Sequence, residues 1–151
     1  MNKLELIEGN VFVDDRGELS FLNDFSWLTN VKRYYIVENH EKGFIRAWHG
    51  HKKEKKYVQV ISGCAMICAV KLDLLENCKN KFYEIDDYSK FILSEKKPSI
   101  LSIPEGYANG FMTLKENTKI IFFSTSTLEE SKNDDYRYDW DIIYPWNIKY
   151  R

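Results

Sequence analysis

The chain has 151 residues, of which 44% are hydrophobic and 30% charged, a composition typical of an ordinary globular domain. The formal net charge is −1, so no overall attraction to nucleic acid or to anionic membranes is expected. No apolar stretch approaches the roughly 20 residues of a membrane-spanning helix, and residues 1–10 lack the core of a signal peptide. We therefore expect one domain over residues 1–151, with no nucleic-acid and no membrane partner.

The cysteines indicate the redox compartment. Cys64, Cys68 and Cys78 contain no C-x-x-C pair, so a zinc site of the usual spacing is not expected. Three is an odd number, and no secretion signal precedes them. Both observations favour a reducing cytoplasm over a disulfide framework.

Short apolar segments with strand patterning recur along the whole chain, separated by turn signals such as the Asp- and Gly-containing residues 14–17. In chain order, the predicted strands cover residues 11–13, 18–22, 31–37, 44–48, 57–61, 64–72, 91–93, 100–103, 111–114 and 120–124. Only residues 74–80 and 128–132 have the pattern of a helical turn. Many short strands with tight turns predict an all-β protein that is closed or double-layered, because closure removes exposed edges.

A histidine pair marks the predicted pocket. His49 and His51 are two residues apart, so on a strand both side chains point to the same side. Lys56 begins the next strand on the same side as Val58 and Val60. Two imidazoles and one ammonium are therefore expected to converge. An immunoglobulin-type sandwich, the alternative architecture, does not predict such a pair.

The spacing around these residues resembles the cupin pattern G-x5-H-x-H-x(3 or 4)-E-x6-G, followed by P-x-G-x2-H. The corresponding residues are Gly43, His49, His51, Lys56, Gly63, Pro104, Gly106 and Asn109. This resemblance implies a cupin jelly roll, also called a double-stranded β-helix barrel.

Two metal-ligand positions of the cupin pattern are changed. Lys56 stands where the glutamate would be, and Asn109 stands where the third histidine would be. An ammonium places like charge beside a metal ion and removes one ligand, and two histidines alone seldom hold a metal tightly. We therefore expect a metal-free pocket without a cofactor. Such a pocket suits proton abstraction beside a ketone, with histidine as the base and lysine holding the enolate oxygen.

Three segments narrow the resemblance further. Residues 15–17 (D-R-G) are followed by an apolar strand. Residues 46–63 combine R-x-x-H with K-Y-V-Q-V-I-S-G, and residues 103–111 read I-P-E-G-Y-A-N-G-F. Together they resemble the dTDP-4-dehydrorhamnose 3,5-epimerase family and the related dTDP-4-keto-6-deoxyglucose 3,4-ketoisomerases.

The resemblance implies a nucleotide-sugar epimerase whose substrate is a nucleotide-linked 4-keto-6-deoxy sugar. His49 would be the base and Lys56 the enolate stabiliser, while His51 would serve as a second acid/base if the ketone migrates. It also implies a homodimer in which an N-terminal segment crosses between subunits.

Three further residues are candidates for substrate binding, each with an alternative. Arg16 and Arg46 would contact phosphate, as arginine does through paired hydrogen bonds. Arg16 is equally well explained as a turn residue paired with Asp14 or Asp15, and Arg46 has the opposite strand parity to His49. Asn109 is assigned to the pocket, although it precedes a glycine and would also suit a turn.

Several positions depart from the epimerase pattern. His51 stands where the epimerases have glutamine, and H-x-H is the ketoisomerase arrangement. The epimerases' catalytic tyrosine has no counterpart near Thr127, so Tyr34, Tyr35 and Tyr107 are candidate proton donors. Asp139 and Asp141 are candidates to orient His49. The alternatives are therefore a ketoisomerase, a non-catalytic cupin that binds nucleotide sugars, and a metal-dependent cupin, against which Lys56 and Asn109 argue.

Overall fold

The structure, a computed structural model, describes residues 3–78 and 87–151 and is built from two five-stranded antiparallel sheets. The strands are β1 (Glu5–Glu8), β2 (Asn10–Asp14), β3 (Gly17–Phe21), β4 (Arg33–Glu38), β5 (Ile45–His51), β6 (Lys56–Ser62), β7 (Cys64–Lys71), β8 (Tyr88–Ser94), β9 (Ser99–Ile103), β10 (Tyr107–Thr113), β11 (Lys119–Ser124) and β12 (Tyr136–Arg137). One sheet has the order β1-β9-β6-β11-β4 and the other the order β12-β5-β10-β7-β8. The all-β cupin jelly roll predicted from the sequence is confirmed.

The longest apolar run of the sequence forms β7, which is buried on both faces. Ala65 and Ile67 belong to the cluster between the two sheets. Met66 and Cys68 belong to a second cluster, on the other face of the β7 sheet, which the C-terminal segment covers with Ile143 and Trp146. A strand that is buried on both sides loses the usual alternation of apolar and polar residues, which explains the unbroken run.

Both helices are short. α2 (Leu128–Lys132) coincides with its prediction and begins with a capping box, in which Thr127 and Glu130 bond each other's backbone N–H groups. α1 spans Leu72–Glu76, earlier than the predicted residues 74–80, of which residues 79 and 80 lie outside the described part of the chain. Within residues 3–78 and 87–151, no helix is long and apolar enough to cross a membrane.

The pairing of β5 with β10 contains an irregularity at Gly110. The register shifts between Asn109 and Phe111, and Gly110 lies between them. A Cβ on Gly110 would come within 2.4 Å of the Ala47 Cβ on β5 and 3.0 Å of the Trp146 ring. Only glycine therefore allows the two strands to approach this closely.

Strands β2 and β3 form a hairpin apart from both sheets, with Phe12 opposite Leu19. Phe12, Val13 and Leu19 are 57%, 68% and 61% exposed. An isolated two-stranded hairpin is only marginally stable in water. The exposed apolar side chains show that packing against the described residues adds little stability to this hairpin.

Candidate functional site

A cavity of about 290 Å³ opens at one end of the barrel and is walled by both sheets and by α2. The lining residues are Arg33, Tyr35, His49, His51, Lys56, Leu128, Ser131, Lys132, Asp135 and Arg137. The set is predominantly basic and contains three of the residue types used for proton transfer, namely histidine, lysine and tyrosine.

Strand β5 brings both histidines into this cavity. His49 and His51 alternate with Gly50, whose Cα faces Leu72 and Ala108 on the opposite side of the strand. This is the side-chain alternation of an extended strand, and it follows directly from the two-residue spacing. The second core cluster occupies the far side of β5, so the strand is supported from behind.

Lys56 reaches into the cavity from the opposite sheet. Its side chain starts on β6 and its Nζ donates to the Oδ1 of Asn109 on β10 at 3.4 Å. Asn109 is in turn paired in register with His49. Lys56 and Asn109 are only 5% exposed. The structure therefore brings the lysine and asparagine of the altered cupin pattern together beside the first histidine.

These surroundings lower the pKa values of His49 and Lys56. Burial lowers the pKa of His49 to about 4, assisted by the positive charge of Lys56. Burial likewise lowers the pKa of Lys56 to about 8, although the negative charge of Glu54 opposes that change. At neutral pH, His49 is therefore an uncharged imidazole beside an ammonium group.

Glu54 is a site residue that sequence reasoning missed. It lies inside the charged run of residues 52–56, which reads as a solvated surface loop. Its side chain is nevertheless fully buried behind the cavity wall. The available signal was one acidic residue in a lysine-rich connection directly after the histidine strand.

The carboxylate of Glu54 is surrounded by donors. Oε2 accepts from His51 Nδ1 and from the Ser131 hydroxyl, each at 3.0 Å. Oε1 accepts from the Ser124 hydroxyl and lies 3.4 Å from Arg33 Nη2. Burial alone would raise the pKa of Glu54, but the His51 hydrogen bond, the charge of Lys56 and the Ser124 hydroxyl lower it to about 2. Glu54 is therefore ionised throughout the neutral range.

His51 has a second fixed partner. Its Nδ1 lies 2.5 Å from the backbone carbonyl oxygen of Asp134. The Asp134 carboxylate in turn accepts from the backbone N–H groups of Lys52 and Lys53, at 3.0 and 2.8 Å. The loop after His51 and the residue that contacts its ring are thus tied together.

The three candidate tyrosines are separated by the structure. Tyr35 lines the cavity, and its ring stacks on Phe122 with 5.0 Å between centroids. Burial and the charge of Glu54 raise the pKa of Tyr35, so its phenol keeps its proton. Tyr34 is 65% exposed, and Tyr107 lines a different surface depression.

The two arginines named from the sequence lie elsewhere in the single chain. Arg16 is at the tip of the β2–β3 hairpin, where it pairs with Asp14 and its side chain is 85% exposed. Arg46 donates to the Oδ1 of Asn39 at 2.7 Å, consistent with its strand parity opposite to His49. The basic residues at the cavity are instead Arg33, Lys132 and Arg137, whose positions on β4, α2 and β12 the sequence did not reveal.

The acidic residue that lines the cavity with His49 is Asp135, and its charge partly opposes the lowering of the His49 pKa. Asp139 and Asp141, the candidates from the sequence, follow β12 and are not among the lining residues. No group of three or more His, Cys, Asp or Glu side chains in the described ranges is arranged to hold a metal ion.

Comparison with known proteins identifies the family. The model of the dTDP-4-dehydrorhamnose 3,5-epimerase family matches residues 1–149. This chain belongs to that family. Its members are isomerases, and the chain is therefore assigned to the isomerase class.

Individual relatives are similar to this chain over most of its length. The spore coat polysaccharide biosynthesis protein SpsL of Bacillus subtilis (strain 168) is 32% identical over 142 residues, which are 91% of this chain and 83% of SpsL. The dTDP-4-dehydrorhamnose 3,5-epimerase of Bacillus anthracis, solved with TDP and PPi, has a TM-score of 0.76 at 24% identity, covering 97% of this chain and 86% of the other. The QdtA 3,4-ketoisomerase of Thermoanaerobacterium thermosaccharolyticum, a double mutant solved with TDP, has a TM-score of 0.67 at 19% identity, covering 95% and 93%. The last two likenesses support the fold.

Proposed function

We propose that this family member is a nucleotide-sugar epimerase that acts on a nucleotide-linked 4-keto-6-deoxy sugar without a metal ion. His49 removes the proton from the carbon beside the ketone, and the electrons of the C–H bond move into an enolate. Lys56 holds the enolate oxygen, because a buried ammonium stabilises developing negative charge strongly. A proton is then returned to the opposite face of the same carbon.

One observation carries the proposal: an uncharged histidine and a buried lysine from opposite sheets meet in one cavity. A general base must be unprotonated, and the low pKa of His49 keeps it so at neutral pH. An enolate holder must be charged, and Lys56, with a pKa of about 8, is largely protonated there. Lys56 stands in the sequence where metal-binding cupins have a glutamate. In this proposal its ammonium stabilises the enolate in place of a metal ion.

The second candidate function is 3,4-ketoisomerisation. It begins with the same enolate but returns the proton to the neighbouring carbon, so that the ketone moves. A second histidine in the cavity favours it, since a separate group is then available to return the proton. Tyr35, the one candidate tyrosine that lines the cavity, is a further proton donor for either outcome.

The test is proton NMR of dTDP-4-keto-6-deoxyglucose incubated with the protein in D2O. Deuterium at C3 and C5 supports double epimerisation, whereas deuterium at C4 with the carbonyl moved to C3 identifies a ketoisomerase. Binding without any exchange, also with the GDP-, UDP- and CDP-linked keto sugars, would contradict both reactions and identify a binding protein.

We also propose a homodimer in which the β2–β3 hairpin packs on the partner subunit. The exposed Phe12, Val13 and Leu19 of an otherwise unsupported hairpin support this arrangement. Crossing to the partner would also carry Arg16, at the tip of the hairpin, toward the partner's cavity, where its guanidinium would bind a phosphate group.

The test for the dimer is the double variant Phe12→Asp with Leu19→Asp, which places two carboxylates on the proposed interface. By sedimentation equilibrium, we expect a dimer for the wild type and a monomer for the variant. In the NMR exchange assay, we expect the variant to be less active. Lys3→Asp, on an exposed residue outside the hairpin, is the control. A wild-type monomer with full activity would refute the proposal.

A relative supports a proposal for the setting of the reaction. SpsL is named for polysaccharide biosynthesis, and we propose a bacterial surface polysaccharide route for this chain as well. We also propose a cytoplasmic location, which the free thiols of all three cysteines support.

A further inference from the structure

The position of Glu54 is energetically unusual. A carboxylate removed from water is costly unless charged or hydrogen-bonding partners replace the lost solvation. Glu54 has such partners on four separate elements: His51 on β5, Arg33 on β4, Ser124 on β11 and Ser131 on α2. A buried anion supported this fully, directly behind a pocket residue, indicates that its charge is used.

The same contacts fix the proton on His51. Its Nδ1 lies between the Glu54 carboxylate and the Asp134 carbonyl oxygen, at 3.0 and 2.5 Å, and both of these groups are acceptors. Nδ1 therefore carries a proton in the neutral and in the charged imidazole. Nε2 is left as the ring nitrogen that exchanges a proton with a substrate.

The two histidines consequently have neighbours of opposite charge. The Nδ1 of His51 lies against the buried Glu54 carboxylate, whereas burial and the positive charge of Lys56 lower the pKa of His49. Sites that use one group to take a proton and another to give it need this kind of opposite surroundings.

We infer that Glu54 is a positioning residue, which holds His51 by Nδ1 and makes its Nε2–H the donor that returns the proton to the sugar carbon. The inference rests on the proposed function. His49 takes the proton from carbon, and Lys56 holds the enolate oxygen. The enolate electrons then form a new C–H bond with the proton of His51. Solvent then restores the two histidines.

The decisive variant is Glu54→Gln, which keeps the shape and one acceptor oxygen but removes the charge. Solvent exchange and turnover of dTDP-4-keto-6-deoxyglucose are measured in both proteins. We expect kcat to fall by about 10²-fold, with KM changed less than about twofold, because general acid catalysis is lost while binding groups remain. Glu54→Asp, which restores the charge at a longer distance, should recover part of kcat. Glu8→Gln removes the same charge from an exposed pair with Lys97 and should leave activity unchanged.

The pH profile separates positioning from a purely structural role. In Glu54→Gln the alkaline fall of kcat should begin at a lower pH, since Lys56 loses the negative charge that opposes the lowering of its pKa. The other charged groups around the cavity are Arg33, Lys132, Asp135 and Arg137, together with the imidazole of His49, and the variant replaces none of them. An unchanged profile with unchanged kcat would overturn the inference.

A measurement without substrate keeps the inference independent of the reaction. The chain has three histidines, so ¹⁵N spectra of the wild type contain signals from three imidazole rings. The signals that disappear in His51→Asn belong to His51. We expect the His51 ring to be protonated at Nδ1 in the wild type, and the Nδ1 resonance to shift in Glu54→Gln, where the Asp134 carbonyl oxygen still accepts but the carboxylate is gone. Nδ1 without a proton in the wild type would refute the inference, whatever the activity. Absence of exchange by the wild type on all four nucleotide sugars would instead refute the proposed function.

Discussion

The Lys56 side and the Glu54 side of the cavity make different use of similar histidines. His49 stands beside the buried Lys56 and Asn109, and its pKa is lowered to about 4. His51, two residues along the same strand, hydrogen-bonds a buried anion and a backbone carbonyl. Identical side chains on one strand thus have neighbours of opposite charge, because different elements pack against them.

The largest effect should come from removing the two rings separately. We expect His49→Ala to lower solvent exchange at the sugar carbons by about 10³-fold or more, because no base then starts the reaction. His51→Ala should still allow some loss of deuterium or tritium from a substrate labelled beside the ketone, while lowering product formation. Label release and product are measured in the same reaction. Equal loss of both activities in the two variants would contradict the division of roles.

The charge of Lys56 should control the alkaline limit of kcat/KM. Its pKa is lowered to about 8, so the ammonium that holds the enolate is lost as the pH rises through that value, and activity falls. Lys56→Met should lower kcat by about 10²-fold or more at every pH. Lys56→Arg, which keeps its charge, should retain more activity and lose the fall near pH 8. A wild-type profile that stays level to pH 10 would contradict this role.

The smallest effect is on the free energy of unfolding in acid. His49 and Glu54 affect it in two adjoining pH ranges. The pKa of His49 is about 4 in the fold against 6.5 ordinarily, so the unfolded chain binds the proton first and stability decreases as the pH falls from about 6.5 to 4. The pKa of Glu54 is about 2 against 4.5, so its stabilisation is present above pH 4.5 and decreases below it. Each slope is below about 1.4 kcal/mol per pH unit.

Urea unfolding at a series of pH values measures these slopes. His49→Asn should flatten only the upper window, and Glu54→Gln only the lower one. Lys97→Gln, in an exposed pair with Glu8, is the control and should alter neither by a comparable amount. Flattening of both windows by one variant would show that the two sides are coupled.

Much of the fold could be predicted because its determinants are local. The turn residues, the two-residue alternation and the spacing from Gly43 to Gly63 each constrain a short stretch of chain. The same local logic placed His49 and His51 in one cavity and explained why Arg46 points elsewhere. The short strands β1 and β12 were not predicted, because four- and two-residue segments carry too little pattern.

The Glu54 side could not be predicted, because its determinants are distant in sequence. Residues 33, 124 and 131 supply donors that compensate for the burial of Glu54. The sequence of residues 52–56 does not indicate these contacts. The cavity residues Lys132 and Arg137 were missed for the same reason. Their positions depend on how the segment after β11 folds back over the barrel.

Gly110 connects this chemistry to the packing behind the cavity. The glycine allows β10 to lie against Ala47 and Trp146, which sets the separation between the strands that carry Asn109 and His49. Any side chain there would wedge the strands apart and alter the spacing of Lys56, Asn109 and His49 without touching a substrate. A substitution of Gly110 would therefore disturb the site without changing any residue that lines it.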